Sequence, residues 1–243
     1  MIPLRDENRA LSPPHITRLL ILVNVIVFFL FWLSDFVTEF SGFEVISLEE
    51  AIWRYGMIPN QIMTGRRWYT LFTSMFLHGG VIHLGGNMLY LYIFGDNIEY
   101  EFGRGRYLIF YLFCGIAASV AHILSINTAN GWLIPAVGAS GAISGVLGAY
   151  LLLYPKARIM TLVLVYWVYI VRIPAVFFLG FWFIFQFLEG IMTLGLGMPS
   201  GVAYWAHIGG FVVGVALAPI LKRRKLSPVS KEPRTYISDM TYF

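Results

Sequence analysis

The sequence predicts an all-α, polytopic membrane protein that crosses the bilayer six times. Three observations carry this prediction: the composition, the lengths of the apolar runs, and the places where basic residues fall. Hydrophobic residues make up 58% of the 243 positions and charged residues only 12%, against about a quarter charged in a soluble domain. Mean hydropathy is +0.72. So much apolar surface must face something other than water, and lipid is the matching solvent.

A helix that crosses the hydrocarbon core takes about 20 apolar residues. Runs at 19–36, 107–126, 174–194 and 202–221 meet that length, whereas 81–96 and 139–155 are shorter and rich in glycine. The run Ile159–Val171, flanked by Arg158 and Arg172, is short for a crossing and suits an interfacial or re-entrant segment. This divides the chain into an amino-terminal segment (1–18), a six-helix membrane domain (19–221) with a long loop at 37–80, and a polar tail (222–243) expected to be disordered. The first run lacks a small-residue cleavage site after it and reads as an uncleaved anchor.

Charge placement tests the count. With the amino terminus inside, the cytoplasmic segments hold Arg5, Arg9, Arg18, Arg104, Arg106, Lys156, Arg158, Arg172, Lys222, Arg223, Arg224, Lys225, Lys231 and Arg234. Only Arg54, Arg66 and Arg67 remain outside, all in the 37–80 loop. Basic residues near span ends stay cytoplasmic, so both termini are expected there. The same placement accounts for a pI near 9.2 without any nucleic-acid partner. Trp53, Tyr55, Trp68 and Tyr69 fit a loop lying at the outer interface. Cys114 stands alone, so no intrachain disulfide forms, and it reads as a small buried hydrophobe.

Polar residues inside spans are costly and point to function. Three groups stand near the outer ends of their spans: His83-Leu-Gly-Gly-Asn87, Gly138-Ala-Ser140-Gly141 and Ala206-His207-Ile-Gly-Gly210. They meet at one depth only if a single crossing separates the fourth and sixth spans, which the charge rule also requires. Gly141 and Gly145 on one helix, and Gly210 and Gly214 on the other, repeat at the spacing that lets membrane helices approach closely.

A serine hydroxyl becomes nucleophilic when an adjacent base takes its proton, and imidazole suits that task near neutral pH. The fitting arrangement is a Ser140–His207 dyad. Backbone N–H groups at the start of the Ser140 helix, with His83 and Asn87, would stabilise an oxyanion. Glu189, an acid near the outer end of the fifth span, is expected to be a solvated interfacial carboxylate.

These motifs, in this order and spacing, resemble the rhomboid intramembrane serine proteases. The resemblance runs from about Tyr69 to Leu221 and includes Ser74-Met-Phe-Leu-His78-Gly-Gly and Glu101-Phe-Gly-x-Gly-Arg106. It implies a six-helix rhomboid-like bundle, cleavage of the transmembrane segments of membrane-protein substrates, no cofactor and no metal. It further implies Ser140 as nucleophile, His207 as base, and His83 and Asn87 on the oxyanion side. A mobile fifth helix and a cap loop near Gly195–Gly201 would admit substrate from the side. The implied location is a prokaryotic plasma membrane, with the site opening to the outer face.

Two positions depart from the family pattern. Tyr69 and Thr70 stand where many members carry Trp-Arg, so the family's anchoring of the first loop does not carry over. Ser144 stands where some members stack an aromatic on the base, so His207 is expected to be oriented differently, by hydrogen bonding. Three rival readings are weaker. A zinc hydrolase using His78, His83 and His207 lacks a His-Glu-x-x-His helix. An inactive client-binding relative would have lost the serine or histidine. A transporter would be expected to show related halves. His78 reads as a brace for the first loop, and His122 and His15 as interfacial or exposed.

Overall fold

A computed structural model describes residues 1–8, 10, 12–164, 167–196 and 202–223. The basic residues Arg9, Arg224, Lys225, Lys231 and Arg234, most of the expected cap loop, and nearly all of the tail lie outside the described residues.

Ten α-helices are described: α1 His15–Trp32, α2 Ser34–Ser41, α3 Leu48–Tyr55, α4 Pro59–Met63, α5 Thr70–Thr73, α6 Val81–Phe102, α7 Arg104–Leu124, α8 Ser140–Leu153, α9 Ala175–Leu196 and α10 Tyr204–Leu221. Four of them, α1, α7, α9 and α10, are long and apolar enough to cross a membrane. The other two expected spans correspond to α6, which carries Asp96, Glu99 and Glu101 toward its end, and α8, which has only 14 residues. At 1.5 Å per residue α8 is about 21 Å long, well short of a hydrocarbon core of about 30 Å. The first span ends earlier than expected: the helix breaks at Leu33, and Ser34 starts α2.

The all-helical expectation needs one correction. Three antiparallel strands, β1 Ile2–Asp6, β2 Arg158–Leu164 and β3 Val168–Pro174, form a sheet in the order β1-β2-β3. The run read as an interfacial or re-entrant segment is thus a β-hairpin joining α8 to α9, and the amino-terminal segment adds its third strand. The residues explain it. Ile159, Thr161, Val163, Val168, Ile170 and Val171 are β-branched, and such side chains favour a pleated strand over a helix.

α8 forms the axis of the bundle. Every residue from Gly141 to Tyr150 is buried, and the core gathers Leu91, Phe94 and Ile98 of α6, Phe110, Tyr111 and Cys114 of α7, and Phe211 of α10 around it. Leu22 and Ile26 of α1, Ile109 and Phe113 of α7, and Phe177 and Phe181 of α9 point outward and exposed, as a lipid-facing surface requires. The α8–α10 contact is backbone against backbone. A Cβ on Gly210 would strike the Gly141 carbonyl, and one on Gly214 the Gly145 carbonyl.

The sheet end is tied by polar side chains. Glu99 accepts hydrogen bonds from the backbone N–H groups of Ile16 (3.0 Å) and Thr17 (2.8 Å) and from the Thr17 hydroxyl (2.9 Å). A carboxylate from α6 thereby caps the start of α1. Asp6 accepts from Tyr150 Oη (2.6 Å) and Asn97 Nδ2 (2.8 Å). After α10 the chain returns to the same place, where the Arg223 backbone N–H donates to the Glu101 carbonyl at 3.0 Å. Ser140, His83 and His207 lie at the opposite end.

Candidate active site

α8 starts at Ser140 because the chain turns sharply at Gly138, whose φ of +129° suits glycine. Space demands glycine there as well. A Cβ on Gly138 would sit 2.9 Å from His83 Cε1 and Nε2 and 3.6 Å from Ser140 Oγ. The His83 imidazole and the Ser140 hydroxyl therefore flank one glycine. The Gly138 N–H donates to the Ser74 carbonyl at 2.9 Å, which holds the turn against the segment before α6.

His207, near the start of α10, reaches Ser140 Oγ with its Nε2 at 2.8 Å. Its other ring nitrogen, Nδ1, lies 2.7 Å from Gln186 Oε1 of α9. Trp182, one turn before Gln186, packs its ring against the imidazole, with centroids 6.0 Å apart and planes tilted by 34°. Ser144, at the position of the expected aromatic, donates instead to the carbonyl of Ser140 at 2.7 Å.

His83 accepts at Nδ1 from the Gly79 N–H (3.4 Å). In a neutral imidazole that leaves Nε2 as the N–H donor, on the side facing Gly138. Asn87 is buried and spends one of its two N–H donors on the His83 carbonyl at 3.0 Å. The N–H groups of the first turn of α8 have no partner within the helix, and its dipole favours negative charge there. A cavity of about 40 Å³ bordered by Ser74, Ser119, His122 and Gly138 adjoins Ser140, enough for a water molecule. A wider crevice of about 340 Å³, bordered by His83, His122, Asn127 and Trp205, lies at the same end.

Ser140, His207 and His83 are thus brought together. Glu189 is half-buried and bonds to neither member of the pair. His78 is fully buried beside His83, with ring centroids 5.1 Å apart. His122 is half-buried and borders both cavities. Among the described residues no three His, Cys, Asp or Glu side chains gather as metal ligands. The 37–80 loop finds its anchor at Arg67 rather than at position 70. This guanidinium donates to Gln61 Oε1 (2.9 Å), the Trp53 carbonyl (3.1 Å) and Tyr69 Oη (3.3 Å).

Sequence reasoning passes over two residues at the site, Gln186 and Trp182. The signal is present: Gln186 is an amide inside the apolar run Phe183–Leu188, the same kind of anomaly that marks Ser140 and His207.

The rhomboid-domain family profile matches residues 65–224, a segment that includes Ser140, His207, His83 and Asn87. The chain belongs to the rhomboid family. It is similar to the rhomboid protease GluP of Bacillus subtilis, with 30% identity over 219 residues, covering 90% of this chain and 37% of that protein. It is also similar to RHOMBOID-like protein 4 of Arabidopsis thaliana, 34% identical over 167 residues, which are 68% of this chain and 37% of that protein. With the mitochondrial RHOMBOID-like protein 6 of the same plant it shares 33% identity over 161 residues, 66% of this chain and 46% of the relative. The chain spans less than half the length of these relatives. Rhomboid proteases are intramembrane serine proteases that act on transmembrane protein substrates, and this rhomboid is a membrane protein.

Proposed function

We propose that this rhomboid is an intramembrane serine endopeptidase that hydrolyses peptide bonds in or near the transmembrane segments of other membrane proteins. The observation that carries the reading is the 2.8 Å contact between Ser140 Oγ and His207 Nε2, made across two separate helices. His207 takes the hydroxyl proton as Ser140 attacks the scissile carbonyl carbon. The resulting oxyanion is met by the N–H groups at the start of α8 and by side-chain donors from His83 and Asn87. Collapse expels the amine, which takes the proton from His207. A water molecule, deprotonated by the same imidazole, then attacks the acyl-enzyme; the C–Oγ bond breaks, His207 returns its proton to Ser140 Oγ, and the new carboxyl terminus is released. No cofactor takes part.

The membrane arrangement belongs to the same proposal. Six helices cross, both termini are cytoplasmic, and the site faces the outer side of a prokaryotic plasma membrane. The short α8 supports a site recessed below the outer surface, reached by water through the crevice beside His83. GluP, whose similarity extends over 90% of this chain, is bacterial, which favours that membrane over a mitochondrial one.

The test incubates purified protein in liposomes with a model transmembrane substrate. Wild type cleaves; Ser140→Ala and His207→Ala each lose at least about 10³-fold in kcat with folding intact. Equal cleavage by Ser140→Ala rejects the mechanism. His83→Ala or Asn87→Ala is expected to cost about 10²-fold in kcat, and a change confined to KM removes that residue from the oxyanion role.

A further inference from the structure

We propose that Gln186 is the positioning residue for His207, a neutral third member that turns the dyad into a Ser140–His207–Gln186 relay held by α9. The inference rests on the protease reading above. Its core is the 2.7 Å contact between His207 Nδ1 and Gln186 Oε1, opposite the 2.8 Å contact to Ser140.

A carboxamide oxygen only accepts hydrogen bonds. Facing it, Nδ1 must carry the ring proton, which leaves Nε2 with a bare lone pair directed at the Ser140 hydroxyl. That is the one neutral tautomer able to receive the serine proton. The amide therefore selects the productive tautomer as well as the ring orientation, as the third group does in other triads, including those with an asparagine. A neutral acceptor does this without burying a second charge, which is costly in a low-dielectric interior.

Three further features agree. Gln186 is 7% exposed, and a buried amide that lacked a partner would be penalised. Trp182 and Gln186 are four residues apart on α9, so one helix face both packs against the imidazole and bonds to it. From α8 the ring meets the nucleophile itself, and the Ser144 hydroxyl is used on the Ser140 carbonyl rather than on the imidazole. The base is thus set by a helix that carries neither nucleophile nor base, so displacing α9 disarms the site.

The test compares wild type, Ser140→Ala, Gln186→Met and Gln186→Glu in liposomes, over a pH series, with a model transmembrane substrate. Gln186→Met keeps the side-chain length without the acceptor and is expected to lower kcat by about 10- to 100-fold while KM stays within about twofold. Gln186→Glu restores an acceptor, so activity returns at least in part, and the acid limb of the kcat/KM profile moves up by about one pH unit as the carboxylate stabilises the imidazolium. Wild-type kinetics in Gln186→Met, or equal impairment of both variants with an unmoved profile, overturns the proposal. Absence of cleavage by wild type, or full cleavage by Ser140→Ala, instead overturns the protease reading. Nitrogen-15 spectra of the His207 ring need no substrate. Protonated Nδ1 in wild type and a tautomer mixture in Gln186→Met are expected, whereas protonated Nε2 in wild type at neutral pH sinks the assignment.

Discussion

At the scale of single residues, the molecule places its polar side chains at its two ends, and each set faces a different constraint. At the sheet end, Asp6, the last residue of β1, is buried against Asn97 of α6 and Tyr150 of α8. Burial pushes its carboxyl up to about 6, against the pull of the Tyr150 and Asn97 hydrogen bonds and with Asp96 repelling it. A carboxyl raised above its unfolded value, near 4, adds stability that is fully present below about pH 4 and is lost as pH rises through 6. Relative to Asp6→Asn, which stays neutral, the apparent Tm of wild type in detergent should therefore fall between pH 4 and 7. A difference that is flat across that range removes Asp6 as the cause. The site residues are partly legible in the sequence. Ser140, His207 and His83 show as polar groups in apolar runs, and the helices of the first two have matching small-residue stripes. Gln186 carries the same kind of signal more faintly, because an amide is a weaker anomaly than an ionisable group and its meaning depends on which helix α9 faces. Arg67 is invisible for a related reason: its three partners lie six, fourteen and two residues away, and no periodic pattern links them.

At the scale of elements, the closest contact is the crossing of α8 on α10, where glycine spacing sets the approach. Adding one methyl at Gly214 drives it into the Gly145 carbonyl. Overpacking of this kind costs about 1–3 kcal/mol. Gly214→Ala should lower the apparent Tm and, by widening the Ser140–His207 distance, lower kcat as well; Ala216→Gly, outside that contact, is the control. An unchanged Tm in Gly214→Ala would mean that the helices cross elsewhere. The membrane helices themselves are legible because twenty apolar residues leave few alternatives. The hairpin is not: a short apolar run fits a strand and a helix segment alike by periodicity, and lipid favours helices so strongly that the β-branched content of Ile159–Val171 is outweighed. The break at Leu33 is hidden by the continuing hydrophobicity of Phe36 and Val37.

At the scale of the whole molecule, the sheet joins the start of the chain to the connection between α8 and α9, and the polar network beneath it joins α1, α6 and α10. Deleting residues 2–6 removes the acceptor of Tyr150 and Asn97 together with the β1 ladder. Tyr150 then loses its acceptor and Asn97 keeps only Asp96; each buried hydrogen bond left unmade costs about 1–3 kcal/mol, so the truncated protein should unfold at a lower temperature and expose the hairpin to protease. Thermal melting with limited proteolysis checks both; an unchanged melt makes β1 dispensable. The pairing of Ile2 with Leu162 also has a temporal meaning. When the ribosome has made the first strand, its neighbour does not yet exist, and α1, α6, α7 and α8 must all be synthesised before it does. The first strand is therefore kept waiting while these helices are made, and its docking can only follow their synthesis.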